Sequence, residues 1–369
     1  LKLYEHLAKS ELRRAGIPVP PGELARTPAE VGEAIEKIGP AAVKAQVLVG
    51  GRGKAGGIKF AANRAEGERV GSEILGMDLK GYTVETVYVE GKLNVEREFY
   101  VSITNDRNAR KPLIMASAKG GMEIEDVAEE DIVRRHIDLS FGLHPYLLRE
   151  ITDEMGLRES VAAQVQDIIS RLWSVYRKRD AELVEINPLV VSGDKVIAAD
   201  ARLNIDDSAL FRQDDLPVVE EGTPLEKKVR KIGLAYVELD GDIAIMANGA
   251  GMAMATLDAI QYYGGKPANF LDAGGGASVE PTAQAFEVLM EMKPKVIFVD
   301  IFGGITRCDD VAKAIAQVKA TRGIPVPLVV RLVGTNEAEG IDILKQSGIE
   351  AFRDMSEAAQ KACALARGA

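Results

Sequence analysis

Five apolar runs in the C-terminal part of the chain constrain its fold more than any other feature: DIAIMA (242–247), ANFLDA (268–273), KVIFVDI (295–301), VPLVVRL (326–332) and the weaker IEAFR (349–353). Each is followed by a segment of helical periodicity. Strands that are apolar on both faces and alternate with helices predict a doubly wound parallel sheet. Four of the strand ends run into glycine, in MANGAGMA, LDAGGGAS, DIFGGITRC and RLVGTN. In open α/β sheets ligands bind outside the carboxyl ends of the strands, where helix N-termini offer free N–H groups to anions. The turn Gly303, Gly304, Ile305 and Thr306, just ahead of a helix expected near Arg307, is the best candidate for a phosphate or carboxylate. Asn248, in MANGAG, can donate and accept at a neighbouring loop and is a candidate substrate contact.

The N-terminal half has a different rhythm. TPAEVGEAIEKIG sets Thr27 three residues ahead of Glu30 with Pro28 between them, the signature of a capped helix start. LNVEREFYVSIT (93–104) and KPLIMASA (111–118) read as strands of an antiparallel hairpin across NDRNAR, and RESVAAQVQDIISRLWSVYRKRD as a long helix. AELVEINPLVV and KVIAADARL read as two further strands split by the turn SGD. The expected organisation is an α+β domain over 1–224 followed by an α/β domain over 225–369.

Charge narrows the partners. The 369 residues carry a formal net charge of −10, which opposes a nucleic acid or an anionic membrane, so any anion site must be local. Cys308 and Cys363 form no metal or redox spacing, the opening LKLYEHLAKS has no apolar signal core, and no run reaches spanning length. A cytoplasmic location is expected.

The stretch VKAQVLVGGRGKAGGIKF (43–60) packs five glycines among Lys44, Arg52 and Lys54. It is not a P-loop: Leu48 stands where the first glycine belongs and Ala55 follows Lys54. Gly51, Gly53 and Gly56 satisfy GxGxxG, yet GIKFAAN alternates like a strand, so the helix of a dinucleotide fold is missing. The remaining readings are a mobile surface hairpin or one that folds over phosphates, with Arg52 and backbone N–H groups as donors and Lys44 on the preceding strand. Distant residues favour the second. Glu90 ends one strand, where it could meet a ribose or base edge, and Glu98 lies on the next. Glu185, Asn187 and Asp200 fall on adjacent strands, where a carboxylate and an amide oxygen suit Mg²⁺.

Taken in order, VKAQVLVGGRGKAGG, EREFYVSI, EINPLV, NGAGMAM, ANFLDAGGGAS and IFGGITRCD resemble the β subunits of succinate–CoA ligases, an ATP-grasp family, along essentially the whole chain. The resemblance implies an ATP-grasp fold followed by a flavodoxin-like ligase domain. It also implies that Lys44, Gly51, Arg52, Gly53, Glu90 and Glu98 contact the nucleotide, with Leu93 contributing through its main chain. Asn187 and Asp200 would hold Mg²⁺. Asn248, Gly304, Ile305 and Thr306 would form the substrate site shared with an α subunit. Two places depart from the family pattern: Thr306, where some relatives have Val, and Gly91–Lys92–Leu93. ATP is the expected nucleotide, with GTP the alternative.

The family phosphorylates a histidine, yet His6, His136 and His144 lie in no motif suited to that work. The resemblance assigns the phosphohistidine and most of the CoA site to the α subunit, with succinate, CoA and nucleotide as substrates; Glu185, next to Asn187, is itself expected to orient the histidine during loading. Rival readings are a related carboxylate–CoA ligase such as one acting on malate, a non-catalytic nucleotide-binding subunit, and an NAD-dependent oxidoreductase. The last needs a strand–glycine–helix order that residues 43–60 lack.

Overall fold

The computed structural model describes residues 1–217, 219, 222–274 and 279–368. The chain divides into two compact units, Leu1–Val219 and Glu220–Ala369.

The first unit carries two main sheets. The smaller contains β1 (Gly22–Ala25), β2 (Ala41–Ala45) and β3 (Ile58–Ala61); after a short hairpin of β4 (Asp78–Leu79) and β5 (Tyr82–Thr83), β6 (Val87–Gly91) completes it. Its order is β1-β6-β2-β3, antiparallel throughout. Helices Pro28–Ile38 and Arg64–Ile74 bury Val31, Ile35, Val70 and Ile74 against Val43, Val87 and Val89. Thr27 caps the first of these helices, its side chain accepting from the Glu30 N–H at 3.3 Å. The Glu30 carboxylate returns to the Arg26 N–H at 2.6 Å.

The larger sheet contains β7 (Arg97–Asp106), β8 (Lys111–Ser117), β9 (Ile132–His136), β10 (Ala181–Ser192), β11 (Lys195–Ala198) and β12 (Arg202–Ile205). Its order is β11-β10-β7-β8-β9, with β12 also on β10. The expected hairpin across NDRNAR is present, with Asp106 facing Lys111. Helix Glu159–Lys178 shows the predicted periodicity: Val165, Ile168, Ile169 and Leu172 are fully buried with the sheet residues Val101, Ile103, Val184 and Ile186. Each such side chain contributes about 1.5–3 kcal/mol.

Two strands differ from expectation. β7 begins at Arg97 instead of residue 93; the preceding Asn94–Glu96 are exposed, with the Glu96 N–H donating to the Val191 carbonyl at 3.0 Å. KVIAADARL is two strands instead of one, because its middle is committed elsewhere. The Ala199 carbonyl accepts from buried lysines, the Ala199 N–H donates to Pro188, and Asp200 accepts from its neighbour's N–H.

The second unit is the doubly wound sheet. β13 (Ala235–Glu238), β14 (Ile243–Ala247), β15 (Asn269–Asp272), β16 (Val296–Gly303), β17 (Leu328–Gly334) and β18 (Ala351–Phe352) lie in the order β13-β15-β14-β16-β17-β18. From β15 to β18 all pairs are parallel, and the strands run 2-1-3-4-5 in chain order, the flavodoxin-like arrangement. Alternate residues serve two cores. Ala244, Met246, Ile297 and Val299 face one, and Ile243, Ile245, Val296 and Phe298 the other. The edge strand β13 pairs antiparallel with β15 and leaves Val237 about half exposed. A half-solvated edge explains why its sequence lacks a buried-strand signature.

Candidate functional site

The glycine-rich stretch is the loop of a hairpin: β2 and β3 pair antiparallel, with Lys44 facing Ile58, and no helix follows the glycines. The loop forms one wall of a cleft of about 360 Å³ within the first unit. Gly51, Arg52 and Gly53 line it from the hairpin, Glu185 and Asn187 from β10, and Asp200 from the break between β11 and β12. Of the residues proposed from the sequence, these six therefore converge.

Ion pairs organise the cleft floor. Arg52 Nη2 lies 3.1 and 3.0 Å from the two Asp200 carboxylate oxygens, and its Nη1 reaches the Ala45 carbonyl at 3.0 Å and Glu5 at 2.8 Å. Lys44 Nζ meets Glu5 at 2.9 Å, Glu90 at 2.6 Å and the Ala199 carbonyl at 2.6 Å. Lys9 Nζ meets Glu5 at 2.8 Å, the same carbonyl at 2.8 Å, and Glu90. Lys44 and Glu90 thus lie buried beside the cleft, committed to this network. Glu98 is exposed and Leu93 half-buried, and neither is among the residues lining the cleft.

The charge states follow from these contacts. Burial disfavours the charged form of Glu5, yet Lys44, Lys9 and Arg52 outweigh it and hold its carboxyl well below the usual range. Lys44 and Arg52 are raised despite burial, by Glu5 and Asp200, with Glu90 adding to Lys44. Asp200 is pushed up by burial and by Glu5, against the pull of Arg52. Burial also raises Glu185, opposed by the Tyr100 hydroxyl, which donates to it at 2.9 Å.

An oxygen-only donor set of one carboxylate and one amide suits Mg²⁺, which keeps phosphate and water as its other ligands. Asp200 and Asn187 supply such a pair. Among the described residues no group of three or more His, Cys, Asp and Glu forms a metal cage. Asn187 accepts from the Gly121 N–H through Oδ1 and donates to the Met122 carbonyl, both at 2.9 Å, so one lone pair of Oδ1 remains for a cation. Asn204 also lines the cleft and buries its Oδ1 without a hydrogen-bond partner, a second acceptor left for a ligand.

In the second unit Asn248 follows β14 and reaches across to the end of β16. Its amide donates to the Phe302 carbonyl and accepts from the Phe302 N–H, both at 2.9 Å, and lies 3.3 Å from Thr306 Oγ1. This is the switch point of a 2-1-3-4-5 sheet, where such folds bind ligands. Gly304 and Ile305 are exposed there, Ile305 at 84%, while Thr306 is buried ahead of helix Cys308–Arg322. Asp272 accepts from the Gly249 and Gly274 N–H groups at 2.6 and 2.7 Å. Residues 275–278 of the LDAGGGAS loop lie outside the described residues.

Sequence reading missed Glu5 and Lys9. Their signal was an oppositely charged i,i+4 pair on the face that also carries Ala8 and Leu12, a charge placement that makes sense only with buried partners.

Residues 2–191 match the ATP-grasp domain family and residues 246–365 the CoA-ligase family. The class is therefore a grasp-type nucleotide domain joined to a CoA-ligase domain. The solved ATP citrate lyase of Methanothrix soehngenii shares this fold, with a TM-score of 0.74 at 19% identity over 98% of each chain. Sequence relatives are nearer. A succinate–CoA ligase (ADP-forming) β subunit from Halorubrum lacusprofundi is 48% identical over 98% of both chains. One from Ignicoccus hospitalis is 44% identical over the full length of both. The chain belongs to the succinate–CoA ligase β-subunit family.

Proposed function

We propose that this chain is the β subunit of an ADP-forming succinate–CoA ligase and that the cleft of the first unit holds the nucleotide. One observation carries this reading: Arg52 and its flanking glycines, Glu185, Asn187 and Asp200, scattered over 150 residues, line one cleft. Arg52 and the loop N–H groups bind the phosphates, and Lys44 adds positive charge from beside them. Asn187 and Asp200 would hold Mg²⁺, which when bound neutralises charge on the phosphate oxygens. Glu90 fixes Lys44, while Glu98 and the Leu93 main chain meet the outer part of the nucleotide.

The terminal phosphoryl group passes to a histidine of a partner α subunit, leaving the nucleoside diphosphate, and Glu185 orients that imidazole. Succinate attacks the phosphohistidine through a carboxylate oxygen, releasing the imidazole and forming succinyl phosphate. The CoA thiolate then displaces phosphate to give succinyl-CoA, and each step is reversible. Asn248 and the Gly304–Ile305–Thr306 turn hold the dicarboxylate with the partner, Asn248 by the amide hydrogen that otherwise points at Thr306 Oγ1 and the turn by N–H groups at a helix start. Among the described residues of the site none favours malate over succinate.

The test is a coupled assay with the α subunit, CoA and either acid, with ATP or GTP. The reading predicts succinyl-CoA and ADP in equal amounts. Turnover with malate alone, or AMP as the product, contradicts it.

A further inference from the structure

Six charged groups meet beneath the glycine-rich loop: Glu5 and Lys9 on helix Glu5–Arg14, Lys44 on β2 and Glu90 on β6, all buried, with Arg52 on the loop and Asp200 between β11 and β12 half-buried at the cleft. Three are cations and three are carboxylates. Glu5 is the carboxylate that touches all three cations. Its Oε1 lies 2.8 Å from Lys9 Nζ and 2.9 Å from Lys44 Nζ, and its Oε2 lies 2.8 Å from Arg52 Nη1.

Such a cluster is a poor device for stability, because well-packed apolar residues usually do as well or better once the charges have been dehydrated. It does fix side chains in place. Residues 46–57 between β2 and β3 include five glycines, so the backbone alone holds Arg52 weakly. The Arg52 guanidinium is set by hydrogen bonds to the Ala45 carbonyl and Asp200 and by charge pairing with Glu5, whose Oε2 is buried beside it without a hydrogen bond. If Asp200 turns to a metal, Glu5 is the anionic anchor left to it. Lys44 shares the same carboxylate, alongside Glu90 and the Ala199 carbonyl.

We propose that Glu5 is a positioning residue of the nucleotide site, whose single buried carboxylate holds Arg52 and Lys44 where the phosphates enter. Helix Glu5–Arg14 is thereby part of that site, with Glu5 on the cleft lining beneath the loop and acting through Arg52 and Lys44. The inference rests on the nucleotide reading of the cleft.

The experiment is a calorimetric titration of the full chain with ATP and Mg²⁺, repeated with GTP, for wild type, Glu5→Asp, Glu5→Gln and the charge-balanced Glu5→Gln/Lys9→Met. Glu5→Gln is expected to weaken binding about tenfold or more, the loss of a charged anchor. Glu5→Asp keeps the charge and recovers part of it. The double variant removes one charge of each sign, so it regains the thermal midpoint lost in Glu5→Gln while its affinity stays low. Affinity within about twofold of wild type in Glu5→Gln, or affinity that returns together with the midpoint in the double variant, overturns the positioning role. Wild type that binds neither nucleotide overturns the nucleotide reading itself.

Discussion

Arg52 and Asp200 occupy each other: one guanidinium nitrogen sits 3.0 and 3.1 Å from both oxygens of the carboxylate. The group proposed to bind phosphate therefore neutralises the group proposed to bind metal. A nucleotide without metal must compete with Asp200 for Arg52, and a metal without nucleotide must compete with Arg52 for Asp200. Metal and nucleotide arriving together satisfy both. Calorimetry should find that Mg²⁺ tightens nucleotide binding by about tenfold or more, a coupling in the usual range of 1–3 kcal/mol. Asp200→Asn should bind metal-free nucleotide more tightly than wild type and respond little to Mg²⁺. Equal affinities with and without metal in wild type would count against the coupling.

Asp200 should also cost the fold stability. Burial and Glu5 raise its carboxyl in the folded chain. A raised acid contributes stability that is present below its unfolded value and lost as pH rises through its folded value. At neutral pH the charged form is therefore a burden, and Asp200→Asn should melt higher than wild type. The gap should close as the pH is lowered into the carboxylate range. Glu5 has the opposite sign: its depressed carboxyl stabilises above the ordinary Glu range and fails as pH falls below it. Glu5→Gln should accordingly melt lower at neutral pH, by about 3–5 kcal/mol, the cost of breaking a buried charge cluster on one side.

Tyr100 tunes Glu185. Burial raises the Glu185 carboxyl and the Tyr100 hydroxyl pulls it back. In Tyr100→Phe the carboxyl should climb further, so a step that needs Glu185 charged loses rate at a higher pH than in wild type. The acid limb of the kcat profile for partner phosphorylation should shift upward. Glu185→Gln should remove that limb and slow the step about a hundredfold, within the usual range for a general acid–base or orienting group. An undiminished rate in Glu185→Gln would remove Glu185 from the mechanism.

Asn248 joins the ends of β14 and β16 by two hydrogen bonds to one backbone residue. Asn248→Ala should raise the KM for succinate about tenfold and leave nucleotide affinity unchanged, since it strips donors from the second unit alone. Stability should fall by about 1–3 kcal/mol, the cost of orphaning the Phe302 groups. A matching loss of nucleotide affinity would show that the two units do not divide the work in this way.

What was legible in the sequence was periodic. Buried strands such as Ile243–Ala247 and the helix Glu159–Lys178 announce themselves because both follow from which faces exclude water. The hairpin carrying Arg52 was legible because strand alternation resumes after the glycines. The break at Ala199–Ala201 was not, for the local sequence AADAR is compatible with a continuous strand. It is broken by Lys9 and Lys44, whose ammonium groups take the Ala199 carbonyl from 190 and 155 residues away. Glu5 was only half legible: its i,i+4 pairing with Lys9 is local, while its other partners come from β2 and the glycine loop, which no local pattern encodes. Glu90 reads in the sequence as a strand-end acid that could meet a ribose or base edge, yet the fold spends it on Lys9 and Lys44.

The proposed function turns on phosphoryl transfer from the cleft of the first unit to a partner chain. The most direct measurement mixes this chain with a candidate α subunit, Mg²⁺ and γ-labelled ATP and follows acid-labile label on the partner, with wild type and with Asp200→Ala. The account predicts label with wild type and its loss with Asp200→Ala. A stable complex that acquires no label from either ATP or GTP would contradict it.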